Sequence, residues 1–186
     1  YFSSFSFTTG GKVARNAIEI NLNDADATAS INGLFSLKEG QHCDNHIDIH
    51  HNAPHTNSEQ LFKGVASADG HRIFTGKVTI HRHAQKSNST QVSRNMLLSS
   101  KALIDARPQL EIYADDVKAS HGATVGKIND DELFYLQTRG MPKPKAEKML
   151  CRAFARDALQ KIKSEWVKQK LDEALEERLD YCLNCD

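Results

Sequence analysis

The sequence has no surplus of either charge: 24 Lys and Arg face 24 Asp and Glu among 186 residues, for a formal net charge of zero. Binders of nucleic acid or anionic membranes ordinarily carry a basic excess, and nothing here points that way. No apolar run approaches the ~18–20 residues that a bilayer-spanning helix needs. Cysteines number only four, Cys43, Cys151, Cys182 and Cys185. At this chain length they do not make a disulfide framework, and a reducing compartment, the cytoplasm, is expected. The nucleophile elbow, HExxH and dinucleotide fingerprints are all missing. Thr9-Gly10-Gly11-Lys12-Val13 is a poor phosphate loop, because the first Gly of the Walker pattern would fall at Ser6 and Val13 replaces the magnesium-binding Ser or Thr. The chain is not expected to bind ATP by itself.

What is present reads first as strands. Apolar residues make up 39% and charged residues 26%, enough for a modest core and too apolar for a disordered chain. The chain opens at Tyr1 with an apolar–polar alternation, Tyr1-Phe2-Ser3-Ser4-Phe5-Ser6-Phe7, and without the basic start of a signal peptide. It reads as the middle of a strand, and a piece of a longer protein is expected. Ile18, Ile20 and Leu22 alternate, as do Ala27, Ala29 and Ile31, then Ile47 and Ile49, Val78 and Ile80, and Leu110 and Ile112. Turn signals separate these runs at Thr9-Gly10-Gly11, Asn32-Gly33, Glu39-Gly40, Asn52-Ala53-Pro54 and Ala68-Asp69-Gly70. Many short strands with tight turns allow a sandwich, a barrel or a β-solenoid, and strand density together with the resemblance given below favours the solenoid.

From residue 129 the period becomes helical. Asn129 with Glu132 three positions on is a capping-box-like start, and Gly140 ends the first short helix. Pro142 and Pro144 suit entry to a second helix, with Ala146, Met149, Leu150, Ala153, Phe154, Ala158, Ile162 and Trp166 as its stripe. Leu171, Leu175, Leu179 and Leu183 form a further stripe. The last helix, from about Val167, is distant in sequence from the strands and is the better interface candidate.

Chemistry-bearing residues each have a plain reading beside the functional one. As one strand, His42-Cys43-Asp44-Asn45-His46-Ile47-Asp48-Ile49-His50-His51 projects His42, Asp44, His46, Asp48 and His50 from one face. These are metal-ligand types, but ligands must converge on a point about 2 Å away and a flat strand spreads them along a line. The plain reading is a polar outer face. His81-Arg82-His83 has HxH spacing without a following Glu, which suits surface histidines better than a metal site. Cys182-Leu183-Asn184-Cys185 is one CxxC without a second ligand pair. His121-Gly122 differs, because Gly lets a backbone come close beside an exposed imidazole, as a ligand or subunit contact requires.

The run from Pro108 to Gly126, PQLEIYADDVKASHGATVG, resembles the SufB/SufD family of iron–sulfur cluster assembly proteins. So do Leu133-Phe134-Tyr135-Leu136-Gln137-Thr138-Arg139-Gly140-Met141, Asp44-Asn45-His46 with His51 and Pro54-His55, and Gln60-Leu61-Phe62-Lys63-Gly64-Val65. Ala84-Gln85-Lys86-Ser87 with Arg94-Asn95-Met96-Leu97-Leu98-Ser99 is a further match. In order, these cover nearly all of residues 1 to about 160. Ser120-His121-Gly122-Ala123-Thr124-Val125-Gly126 is similar to the SufD side of the family, where the SufB side usually carries Glu-His-Glu-Ala-Thr.

The resemblance implies a right-handed parallel β-helix over 1–128 and a C-terminal helical domain over 129–186, without the family's long N-terminal region. It implies a non-catalytic scaffold subunit that pairs with SufB through the β-helices, docks on the ATPase SufC through the helical domain and is linked to iron acquisition. His121 matches a histidine implicated at the SufB contact, a candidate ligand for iron or a nascent iron–sulfur cluster held transiently in the complex. No cofactor is expected to stay bound to the chain alone. Ala119 stands where the family often has Cys, which leaves imidazole as the only ligand of this segment. Phe134, Tyr135, Arg139 and Phe154 are candidate helix-packing or SufC-docking residues, with core packing the plainer expectation for Phe134 and Phe154. Two rival readings are a stand-alone metal-binding enzyme using His42 to His55, and a purely structural homodimeric β-solenoid. An unpaired β-helix edge would make a homodimer in isolation.

Overall fold

The computed structural model describes the backbone of residues 1–183 and the side chains of residues 1–180. Nine strands run β1 (Phe2–Thr8), β2 (Val13–Leu22), β3 (Thr28–Leu37), β4 (His42–His51), β5 (Asn57–Ala66), β6 (His71–Ile80), β7 (Asn88–Leu97), β8 (Leu103–Ile112) and β9 (Lys118–Gly126). Odd strands form one parallel sheet, in the order β1-β3-β5-β7-β9, and even strands the other, in the order β2-β4-β6-β8. Each coil therefore contributes one strand to each sheet and stacks on the last, a parallel β-solenoid of about 4 turns. Register partners lie about one coil apart, as for Gln60 and Gln91, whose side chains are linked across a separation of 31 residues. The turns fall where Gly or a left-handed residue occurs: Gly11, Asp26, Gly40, His55, Ala68 and Lys86 all have positive φ.

The interior is layered. Ile31, Ile47, Ile49, Phe62, Phe74, Val78 and Ile80 fill one apolar zone, and Phe35, Leu37, Cys43, Ala66 and Ile104 a second. Between and beside them lie buried polar side chains. His51 bonds Thr56 Oγ1 and Ser58 Oγ, each at 2.8 Å. Those hydroxyls in turn bond Ser87 and Ser89 of the next coil, again at 2.8 Å. In a parallel stack a polar residue can find a partner at the same height one coil on, as Ser58 does in Ser89 and Gln60 in Gln91.

Asn32-Gly33, expected as a turn, lies inside β3. Gly33 is needed for space: a Cβ there would sit 2.5 Å from the Phe62 ring of the next coil. Asn32 is buried and donates to Ser30 Oγ at 2.9 Å.

Three helices follow: α1 (Asp130–Thr138), α2 (Lys143–Leu159) and α3 (Glu165–Leu183). Asn129 caps α1, its side chain accepting from the Asp131 and Glu132 amides, and Gly140 at φ 83 lies just past its end. Pro144 occupies the first turn of α2, where its missing N–H costs nothing. α2 buries Ala146, Cys151, Ala155, Ala158 and Leu159, a face rotated from the expected stripe. Met149 and Trp166 are exposed, and α2 ends at Leu159 instead of running to Trp166. The expectation for α3 is also corrected. Leu175 and Leu179 are fully buried with Leu34 of β3 and the α2 face, and Arg178 donates to the Ser36 carbonyl at 3.1 Å. Distance in sequence did not mean distance in space: α2 and α3 form a hairpin that folds back on the odd-strand sheet.

Candidate functional site

The solenoid ends in an uncapped coil. β9 pairs with β7 on one side and carries no strand on the other among the described residues. Parallel register partners point to the same side of a sheet. β9 therefore directs Ala119, His121, Ala123 and Val125 the same way as the inward Ser89, Gln91, Ser93 and Asn95 of β7. Ala119 packs against the apolar zone beneath it, which fixes that orientation. His121, two residues on, is exposed and stands over the mouth of the solenoid interior. Ile112 at the end of β8, Tyr113 just after it and Val125 of β9 are also exposed in this last coil. An exposed imidazole on an unpaired edge strand, in a coil that also leaves apolar side chains uncovered, suits a surface that another polypeptide completes. A Cβ added at Gly122 would meet nothing within 4 Å, so no contact within the chain requires glycine there.

The helical candidates separate into two groups. Phe134 and Tyr135 are 68% and 57% exposed, and Arg139 stacks its guanidinium 5.3 Å from the Tyr135 ring centroid. Core packing, the plainer expectation for Phe134, does not occur, because α1 buries only Leu133 and turns Phe134 outward. Beside Tyr135, an apolar groove between α1 and α2 is lined by Leu136, Met149, Leu150 and Ala153, with Asp131 and Glu132 at its rim. Phe154 belongs to the solenoid side instead: its ring lies 4.4 Å beneath the Lys63 ammonium and its carbonyl accepts from Lys63 at 3.0 Å.

The histidine-rich segment is β4, with Cys43, Asn45, Ile47, Ile49 and His51 inward and His42, Asp44, His46, Asp48 and His50 on the other face. The outer rings spread over the even-strand sheet. His42 meets His71 edge-on with centroids 4.7 Å apart, His50 stacks on His81 at 6.0 Å, and His81 on His83 at 6.2 Å. Among the described residues no three His, Cys, Asp or Glu converge as a metal set. Cys43 is sealed in the core, and burial pushes its thiol pKa up, which makes it a poor thiolate donor. Lys12 leads into a strand instead of a helix, so the Gly10-Gly11-Lys12 turn lacks the helix N-terminus that a phosphate loop uses. The Cys182 side chain and Cys185 lie outside what the structure describes.

The family model for the SUF-system FeS cluster assembly SufBD core domain matches residues 1–154. The chain belongs to the SufBD family. It is 39% identical over 176 residues to the iron–sulfur cluster assembly protein SufD of Escherichia coli, covering 95% of this chain and 42% of that protein. It is 35% identical over 176 residues to a SufBD-family protein of Synechocystis, covering 95% of this chain and 37% of the relative. The SufD protein of Bacillus subtilis is 38% identical over 119 residues, 64% of this chain and 27% of that protein. The chain thus spans well under half the length of these SufBD relatives, and its likeness is to the SufD type. The SufBD core match includes His121, Phe134, Tyr135 and Arg139, and ends at Phe154 within α2.

Sequence reasoning missed the inward row beneath His121. Gln60 and Gln91 are fully buried, and Gln91 Nε2 donates to Gln60 Oε1 at 3.2 Å. Their one sequence signal is a polar residue at the same height in successive coils, visible only once the coil length is known.

Proposed function

We propose that this chain is the core of a SufD-type scaffold subunit in iron–sulfur cluster assembly, and that it completes no reaction by itself. The carrying observation is the open coil. His121 is displayed on β9, at an end of the solenoid whose edge strand and apolar side chains are uncovered. In this reading SufB completes that end and His121 supplies one imidazole ligand to iron or a nascent cluster, the cargo of the complex. Thiolates come from the partner, since Ala119 cannot provide one and Cys43 is sealed away. The exposed Phe134 and Tyr135, with the groove along α1 and α2, offer the docking surface for the ATPase SufC. Aromatic residues at the centre of an apolar patch are the usual anchors of such contacts.

Co-expression of the chain with SufB and SufC tests this. Both partners should co-purify with the chain and with its His121→Ala variant, while iron and acid-labile sulfide in the complex fall several-fold in the variant. Tyr135→Ala with Phe134→Ala should release SufC and leave SufB bound. Failure to recover either partner, or unchanged iron in His121→Ala, would overturn the reading.

A further inference from the structure

The groove between α1 and α2 carries opposite charges at the two ends of α1. Its walls are Tyr135, Leu136, Met149, Leu150 and Ala153, and its volume is about 400 Å³. Asp131 and Glu132 stand at the rim, in the first turn of α1. Both are exposed, and neither has an ion pair among the described residues. Carboxylates of α2 and α3 are matched instead: Glu147 by Lys143 at 3.7 Å, Glu176 by Lys148 at 3.3 Å and Asp172 by Arg152 at 3.5 Å. At the other end of α1, Arg139 lies against the Tyr135 ring and pairs with no carboxylate among the described residues. The dipole of α1 suits this order of charges but amounts to only about half a charge at each end. The groove is therefore complementary to a segment whose charges run the opposite way.

We infer that this groove takes one amphipathic helix of the docking partner, with an apolar ridge between cations at the Asp131 and Glu132 end and a carboxylate at the Arg139 end. The inference rests on the reading of this face as the SufC docking surface, and adds the chemistry and direction of the docking element. Two neighbouring helices accept a third by seating its i, i+3, i+4 and i+7 side chains between them. α1 has 9 residues and spans about 14 Å, or roughly two and a half turns of a facing helix. Tyr135 and Met149, 57% and 52% exposed, are the apolar surface that such a ridge covers. A helix favours carboxylates at its N-terminus and cations at its C-terminus, so the docked helix runs antiparallel to α1. The apolar ridge supplies most of the affinity, while the rim charges speed encounter and fix register.

Association of purified SufC with the chain tests this, with rates measured from about 0.01 M to about 1 M NaCl, over which the screening length falls from about 30 Å to about 3 Å. The wild-type on-rate should fall by about tenfold or more across that range. At low salt, Asp131→Lys with Glu132→Lys should slow association about tenfold, and so should Arg139→Glu. The two reversals move net charge in opposite directions, so an equal loss in both reads the polarity of the groove and not the charge of the chain. Near 1 M NaCl all three chains should converge, because the apolar ridge is untouched. A wild-type on-rate indifferent to salt would overturn the inference whether or not the variants fold, and so would a reversal that leaves binding unchanged or stronger. A dimer of the chain alone that the reversals abolish would give the groove to a second copy and overturn it too. SufC that does not bind at all sinks the proposed function as well, whereas SufC that binds without regard to these charges sinks this inference alone.

Discussion

Lys63 of β5 passes beneath α2 and places its ammonium 2.7 Å from Asp157 Oδ2, with the lysine side chain buried and the carboxylate half exposed. The pair ties the helical hairpin to the odd-strand sheet, and its asymmetry makes the two deletions unequal. Asp157→Ala strands a buried cation and should cost about 2–3 kcal/mol in chemical denaturation. Lys63→Met removes the buried charge and leaves a carboxylate that water can reach, so it should cost about 1 kcal/mol or less. The hydrogen bond from Lys63 holds the Asp157 pKa below the usual carboxylate value. A depressed folded-state pKa gives stability that is present above the ordinary value of about 3.9 and lost as pH falls further. Undocking of α2 should therefore appear below about pH 4 in hydrogen exchange, and Lys63→Met should remove that acid step.

His51 should give a second pH dependence, at higher pH. Burial lowers its pKa from 6.5 to about 4, and both ring nitrogens are engaged by Thr56 and Ser58. Between these values the unfolded chain takes up a proton that the folded chain refuses, so stability falls as pH drops from about 6.5 and levels off near 4. The full loss is roughly 3 kcal/mol. Urea midpoints measured across that range should decline in the wild-type chain, and His51→Gln should flatten the slope. A decline that His51→Gln leaves intact would overturn this assignment.

Strands with apolar inward faces were legible in the sequence. Ile18, Ile20, Leu22, Ile47, Ile49, Val78 and Ile80 alternate because they face one core. β5, β7 and β9 were not, since their inward positions hold Ser58, Gln60, Ser89, Gln91, Ser93, Asn95 and His121, which alternation rules score as outward. Stacked coils pair several of those groups laterally, Ser58 with Ser89 and Gln91 with Gln60, and that pairing needs the register. The site divides in the same way. The His121 candidate came from the resemblance, whereas its register partner Gln91 came into view only once the coils were aligned. The helical stripes gave α3 its buried leucines and misplaced part of the α2 face, because Cys151, Ala155 and Leu159, outside the expected stripe, make the close contact there.

Two glycines should respond oppositely to the same methyl group. A Cβ at Gly64 would lie 1.8 Å from the Phe35 ring, inside the closed core, whereas one at Gly122 would meet nothing within 4 Å. Gly64→Ala should destabilise the chain by about 1–3 kcal/mol through overpacking. Gly122→Ala should lie within about 0.5 kcal/mol of the wild type. Under the proposed pairing with SufB, in which a partner's backbone comes against Gly122, Gly122→Ala should weaken that association. Denaturation of the chain alone and co-purification with SufB separate the two effects.

Arg72 is the most exposing test of the core. It is fully buried on β6, its guanidinium 3.9 Å from the Phe35 ring centroid and 5.0 Å from that of Phe74. Nη1 donates to Asn95 Oδ1 at 2.7 Å, while Nε and Nη2 have no hydrogen-bond partner among the described residues. Burial lowers its pKa to about 9, so it is still a cation at neutral pH. The aromatic faces offset part of the desolvation, by an amount on the order of 2 kcal/mol for a desolvated cation–π contact. That falls short of a buried charge's penalty of several kcal/mol. Arg72→Met, which keeps the length and deletes the charge, should therefore leave stability unchanged or raise it by about 1 kcal/mol or more. Arg72→Ala opens a cavity among Phe35, Phe62 and Phe74 and should lose about 2–5 kcal/mol. Equilibrium unfolding of the two variants decides the matter: an Arg72→Met chain as unstable as Arg72→Ala would mean that the charge itself holds the coil together.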